Sequence, residues 1–174
     1  MIALTRTVRE VGELRRLLAE ARHRSATIAL VPTMGALHEG HLSLIRLAAE
    51  SADEVVVSIF VNPTQFTDPN DLRHYPRDEQ RDVELAAAAG ATVIFAPSAD
   101  EVYPVGFSTS IHIGGPAARW EGESRGPGHF DGVALVVSKL FAMVGADIAW
   151  FGRKDAQQVA VVRRLVAELN LPIE

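Results

Sequence analysis

The chain contains no cysteine, which excludes disulfides and every thiolate-held metal centre. It has almost no lysine: of 17 basic residues, only Lys139 and Lys154 are not arginine. A protein that clothes its surface in arginine has little use for lysine as generic solvation, so each of the two raises its own question. Lys139 lies inside Val136-Val137-Ser138-Lys139-Leu140-Phe141 and reads as a snorkelling surface residue. There is no basic excess either, since the net charge is −5, and this argues against a general nucleic-acid-binding surface. No apolar run reaches membrane-spanning length, and Arg6, Arg9 and Glu10 interrupt the N-terminus where a signal peptide would be apolar. A cytoplasmic protein with no membrane partner is expected. At 174 residues, 48% hydrophobic and 22% charged, the chain suits one soluble domain, 1–174, with a substantial core.

What is present is an alternation of short apolar runs with amphipathic stretches. Residues 26–31, 55–61, 91–96 and 147–151 have strand length and are apolar almost throughout, the pattern of parallel strands covered on both faces. Val8, Val11, Leu14, Leu17, Leu18 and Ala21 predict one face of a leading helix, with Thr7-Val8-Arg9-Glu10 as its capping box. Further helices are expected over 78–89, stopped by Gly90, over 131–144, and after Asp155, where Val159, Val162, Val166 and Leu169 share a face. Residues 67–77 read as a polar surface loop able to fold over a pocket, and 101–104 with 108–113 as a short β excursion. The glycine-rich stretch 121–130 carries Arg125, which either grips a carboxylate or phosphate or sits in solvent. Strands alternating with helices predict an α/β fold with a parallel sheet and right-handed crossovers.

Two strand-to-helix turns carry the chemistry. The first is Val31-Pro32-Thr33-Met34-Gly35-Ala36-Leu37-His38-Glu39-Gly40-His41. Pro32 stops the ladder, Gly35 and Gly40 allow backbone geometries closed to other residues, and His38 and His41 fall on the first turn of a helix. Helix starts carry unpaired N–H groups and partial positive charge, which suits a phosphate. The competing reading is a plain turn with one surface and one capping histidine. The second turn, Gly152-Arg153-Lys154-Asp155, occupies the same position after the last strand; Lys154 can reach a phosphate as a mobile point charge, and Asp155 either caps the helix or binds ligand. Ligands of open α/β sheets lie beyond the carboxyl ends of the strands, which also places Asn62 and Gln65 at a binding site, although Asn62 before Pro63 is equally a turn residue. Gln158 points back toward the same strand ends, whereas Gln157 is assigned to a polar helix face.

Four segments together resemble the pantothenate synthetase (pantoate–β-alanine ligase) family. They are Pro32 to His41, Phe60-Val61-Asn62-Pro63-Thr64-Gln65-Phe66, Pro127-Gly128-His129-Phe130-Asp131-Gly132-Val133 and Phe151-Gly152-Arg153-Lys154-Asp155-Ala156-Gln157-Gln158. The resemblance implies a Rossmann-like doubly wound sheet of the HxGH nucleotidyltransferase type. It also implies a ligase that joins pantoate to β-alanine, using ATP and Mg2+, through a pantoyl adenylate with release of pyrophosphate and AMP. It makes Met34, Gly35, Ala36, Leu37, His38, Glu39, Gly40 and His41 an ATP-binding segment, with His38 and His41 on the phosphates and His41 the residue usually labelled proton donor. Gly152, Arg153, Lys154 and Asp155 would also bind ATP, with Lys154 on its phosphates. Gln65, helped by Asn62, and Gln158 would hold pantoate from two sides, with no protein metal ligands implied. Members are typically homodimers.

The chain departs from the family pattern at Arg153, usually Glu, and at Ala156, usually aromatic, and Arg125-Gly126-Pro127 is one residue longer than usual. Members also continue into a smaller C-terminal lid domain, so residues 1–174 are expected to be the N-terminal ATP- and pantoate-binding domain, with weak turnover alone. Two other classes remain open: another HxGH adenylyltransferase, which would need more cations for a phosphorylated acceptor than Gln65 and Gln158 provide, and a non-catalytic nucleotide-binding or dimerisation module.

Overall fold

The computed structural model describes residues 5–115 and 128–174. One parallel sheet contains β1 (Arg6–Val8), β2 (Ile28–Thr33), β3 (Glu54–Ile59), β4 (Val93–Phe95) and β5 (Ile148–Ala149), in the order β1-β4-β3-β2-β5. The helices are α1 (Val11–His23), α2 (Glu39–Ser51), α3 (Pro69–His74), α4 (Glu79–Ala89), α5 (Ala99–Val102), α6 (His129–Val144) and α7 (Ala156–Glu168), and a 3-10 turn spans Pro63–Gln65. Because successive strand residues point to opposite faces, a strand apolar throughout feeds two cores. Ile28, Leu30, Val56, Val93 and Phe95 face α1, α6 and α7, while Ala29, Val31, Val55, Val57 and Ile94 face α2 and α4. The expected doubly wound α/β sheet is what forms. From β2 the chain proceeds outward through β3 and β4, then crosses back to add β5 on the other side of β2. The crevice between β2 and β5 is therefore a topological switch point, where ligands of such sheets bind.

Several local expectations are corrected. The capping box at Thr7 to Glu10 does not form: Arg6–Val8 is an edge strand paired with Val93–Phe95, and Glu10 caps α1 with no side-chain hydrogen bond. The first N–H of α1, on Val11, goes instead to Glu101 Oε1 at 2.8 Å. Ladder bonds to a strand far along the chain outweigh the local helix signal. Residues 67–77 contain α3, capped by Asp68 through the Asn70 N–H. In place of a β excursion, Ala99–Val102 is helical and residues 108–113 carry no strand. The buried residues of α7 are Gln157, Val161, Val162 and Leu165, so its inner face is turned from the expected one; Leu169 is exposed. Gln157, read as part of a polar face, is buried. Arg125 lies outside the described residues.

α6 sits unusually close to the 3-10 turn. A Cβ on Gly132 would lie 2.4 Å from Thr64 O and 2.8 Å from Gln65 N. Only glycine admits that approach.

Candidate active site

The turn after β2 is held from behind. Thr33 Oγ1 donates to Ser58 O at 2.6 Å and accepts from Gly35 N at 3.2 Å, seating the turn on β3. Gly35 and Ala36 both adopt positive φ, +82° and +50°. The buried carboxylate of Asp82 on α4 then accepts from Ala36 N through Oδ2 and from Leu37 N through Oδ1, each at 2.8 Å. A Cβ on Gly35 would meet Asp82 Oδ2 at 2.8 Å. In the sequence Asp82 is one position of the helix expected over 78–89, with no role assigned to it. The available signal was its spacing to Ala86 and Ala89, which puts a carboxylate on the core face, where it needs partners.

Asp82→Asn should test this. An amide can accept from one of the two N–H groups but opposes the other with its own NH2, so folding stability should fall by about 1–3 kcal/mol in denaturant titration. Nucleotide affinity should fall as well, because His38 and His41 hang on that turn.

His38 begins α2, its Nδ1 accepting from Gly40 N at 3.1 Å. The neutral ring therefore carries its proton on Nε2, the nitrogen left for a ligand. The capping expected of one histidine is observed, and the same ring also lines a cleft. His41 lies one turn on, its ring centroid 4.1 Å from that of His38. Its Nδ1 is buried with no hydrogen-bond partner among the described residues. Burial, first, and then the positive charge that His38 would carry if protonated hold the His41 imidazole below its ordinary pKa; Lys154 pushes the same way and the Asp82 carboxylate opposes.

A cleft of about 530 Å³ opens at the carboxyl ends of β2, β3 and β5. Met34, His38, Gly40 and His41 line it on one side; Gly152, Arg153, Lys154, Asp155 and Gln158 on the other; and Asn62 and Gln65 close it. Two turns more than a hundred residues apart thus face one cavity because β2 and β5 are hydrogen-bonded neighbours, Trp150 N donating to Leu30 O at 2.9 Å. Gly35, Ala36, Leu37 and Glu39 do not line the cleft: the Ala36 and Leu37 N–H groups are held by Asp82, Leu37 is core, and Glu39 pairs with Arg46 at 2.6 Å. Asp155 is the N-cap of α7 but makes no side-chain cap.

Other lining residues escaped the sequence reading. Val133, Val136, Val137 and Leu140 of α6 form an apolar wall, and Tyr75 and Trp150 also line the cleft. Their helical spacing in α6 predicted only a buried face, and the ligand-facing part of a core helix has no separate signature.

Behind the cleft, Asn62 is 1% exposed, with its amide bonded to Gln65 Oε1, Gly132 O, the Thr64 side chain and Tyr103 OH. His129 Nδ1 lies 2.9 Å from Gln65 O and donates to it. Lys139 lies with Nζ 4.5 Å from the Phe107 ring centroid and 5.6 Å from that of Tyr103, its stem half-buried as expected. No group of three or more His, Asp or Glu side chains among the described residues could hold a metal ion, and no helix among them is long and apolar enough to cross a membrane.

Residues 6–174 match the family model described as pantoate-beta-alanine ligase. The chain belongs to the pantoate-beta-alanine ligase family. It is 54% identical to the pantothenate synthetase of Cereibacter sphaeroides over 166 residues, 95% of this chain and 59% of that protein. It is also 54% identical to pantothenate synthetase 1 of Bradyrhizobium diazoefficiens over 169 residues, again 59% of that protein. Among solved structures, the pantothenate synthetase of Thermus thermophilus superposes with a TM-score of 0.91 at 48% identity, covering 98% of this chain and 60% of that one. The Francisella tularensis ligase, complexed with beta-gamma ATP and beta-alanine, gives 0.93 at 38% identity, covering 98% and 65%. This member of the ligase family thus spans about three-fifths of the length of the relatives it matches.

Proposed function

We propose that residues 1–174 act as one ATP- and pantoate-binding unit that carries out the adenylation half of pantoate–β-alanine ligation. The observation that carries this is the single cleft: His38, His41 and Lys154 line it together with the neutral amides of Gln65 and Gln158. Cationic and N–H groups suit a triphosphate, and uncharged amides suit a hydroxy acid better than a phosphorylated acceptor. The names of the relatives point to the same reaction, and the Francisella tularensis ligase holds an ATP species and beta-alanine.

In the first step a pantoate carboxylate oxygen attacks the α-phosphorus, the bond to the bridging oxygen breaks and pyrophosphate leaves. Negative charge grows on the phosphate oxygens, and in this reading His38 Nε2, His41 and the Lys154 ammonium meet it; there is little covalent work for the protein. In the second step the β-alanine amine attacks the acyl carbon of the mixed anhydride, the acyl–oxygen bond breaks, and AMP departs as the amine gives up a proton. The apolar wall of α6 shields that anhydride from water. The cleft does not fit a protein-held metal: Asp155 is the one carboxylate among its described lining residues, and no group of three or more His, Asp or Glu side chains among the described residues could hold an ion. Mg2+ would enter with the nucleotide, held by phosphates and water. A cytoplasmic homodimer is the assembly the resemblance favours.

The test is pantoate-dependent exchange of labelled pyrophosphate into ATP, run on this chain and on the chain joined to the remaining part of a relative. We expect slow exchange from the chain alone and faster exchange from the longer protein. Exchange without pantoate dependence in both would sink the ligase reading.

A second measurement uses the electrostatics of His41. A bound polyphosphate reverses the repulsion from His38 and Lys154 and so raises the lowered His41 pKa. Binding then takes up a proton between the free and bound values, so ATP affinity should rise as pH falls through the His41 pKa of the complex and level off below that of the free protein. Calorimetry in buffers of different ionisation enthalpy reads the uptake, and His41→Gln should abolish the His41 contribution.

A further inference from the structure

We propose that Asn62 is a positioning residue that fixes which end of the Gln65 amide faces the cleft, turning Nε2 outward so that the site offers donors, not an acceptor, to its acid substrate. The proposal rests on the ligase reading only for the identity of that acid.

The reasoning starts from backbone groups whose polarity cannot change. Gly132 O only accepts and Thr64 N–H only donates. Asn62 lies between them, with Nδ2 3.2 Å from Gly132 O and Oδ1 3.3 Å from Thr64 N. Reversing its amide would oppose acceptor to acceptor and donor to donor, so its orientation is set by the main chain. The Tyr103 OH, at 2.8 Å, and the Thr64 hydroxyl, at 2.9 Å, both give their protons to Oδ1 and reinforce the setting. Burial pushes the Tyr103 pKa up, so that hydroxyl stays a donor. One Nδ2 proton of Asn62 remains, directed at Gln65 Oε1 at 3.0 Å. That proton requires an acceptor, so it turns Gln65 Oε1 inward and leaves Nε2 to the cleft that Gln65 lines.

The polarity of a backbone carbonyl in α6 is thereby relayed through two side-chain amides to the ligand. Gly132 makes the relay possible, since its missing side chain lets that carbonyl approach. An outward N–H donor matches a carboxylate or a hydroxyl lone pair; an outward carbonyl would repel a carboxylate.

Two readouts separate the relay from the ligase reading. In nitrogen-15-labelled protein, the Gln65 side-chain NH2 signals are identified by their loss in Gln65→Ala. We expect them to exchange rapidly with solvent in the wild type, to shift and become protected in Asn62→Asp, and to stay in place in Tyr103→Phe, which keeps both backbone anchors. Protected Gln65 Nε2 protons in the wild type would overturn the relay even if Asn62→Asp does not fold, and unmoved signals in a folded Asn62→Asp would overturn it too.

The second readout is pantoate affinity by calorimetry. Asn62→Asp and Gln65→Ala should each weaken it about ten- to hundredfold, the range for a hydrogen bond to a charged group. In the Gln65→Ala background, Asn62→Asp should add less than about twofold to the loss of affinity, as two residues of one hydrogen-bonded network couple, while the melting temperature still falls through the lost bond to Gly132 O. Multiplying losses would mean that Asn62 does not act through Gln65. Absence of pantoate binding by the wild type would count against the ligase reading, and the exchange experiment would still decide the relay.

Discussion

Alanine in place of His41 should lower pantoate-dependent pyrophosphate exchange by about 10²–10³-fold, the loss seen when one preorganised donor is removed from a developing oxyanion. The melting temperature should hardly move. His41 contributes no hydrogen bond through Nδ1 among the described residues, and its imidazole is held in a site that disfavours its charged form, so truncation removes a group that does little for the resting fold. A catalytic loss without a stability loss is the signature expected of a side chain kept for ligand charge. His38→Ala should differ, because it also removes the Nδ1 acceptor for Gly40 N and with it an N-cap worth about 1 kcal/mol. Unchanged exchange in His41→Ala would take His41 out of the chemistry.

Gly132→Ala should have the larger structural effect. The added Cβ would fall 2.4 Å from Thr64 O, 2.6 Å from Thr64 C and 2.8 Å from Gln65 N. All three are main-chain atoms of a turn pinned by Asn62 and by His129, so no rotamer change relieves the clash. Overpacking of this kind costs about 1–3 kcal/mol or more, against the small gain in helix propensity that alanine ordinarily brings. The turn must retreat from α6, which breaks the Asn62 to Gly132 bond and displaces Gln65. A lowered denaturation midpoint together with lost pantoate binding would confirm this; a more stable protein would show that α6 does not need the glycine.

The strand-to-helix turns were legible because their information is local: an apolar run and a polar helix start lie within a dozen residues, although Pro32, expected to stop the ladder, remains within β2 opposite Ser58 and the strand ends only after Thr33. The convergence of His38, His41 and Lys154 was legible too, since a doubly wound sheet brings strand ends to one edge. Other features depended on distant partners. Arg6–Val8 resembles a helix entrance until Val93–Phe95 is beside it. Asp82 looks like an ordinary N-terminal acid until the N–H groups of Ala36 and Leu37 point at it. Gln157 is buried where a polar face was expected, whereas Gln158 lines the cleft as expected; neighbouring helix residues diverge by about 100°, so a modest error in helix rotation is enough to bury one of such a pair. Asn62 was read as a turn residue or a substrate contact; the structure shows its amide engaged with the turn, α6 and Gln65.

The direct bonding of β2 to β5 bears on how a nucleotide is received. Trp150 N to Leu30 O, 2.9 Å, ties the strand that ends at the second turn to the strand that leads into the first, and so joins the bases of the two turns. A nucleotide reaching these bases finds their spacing already set, so little loop-ordering entropy is lost in joining them. Capture should accordingly be rapid, with a favourable enthalpy and a single kinetic phase.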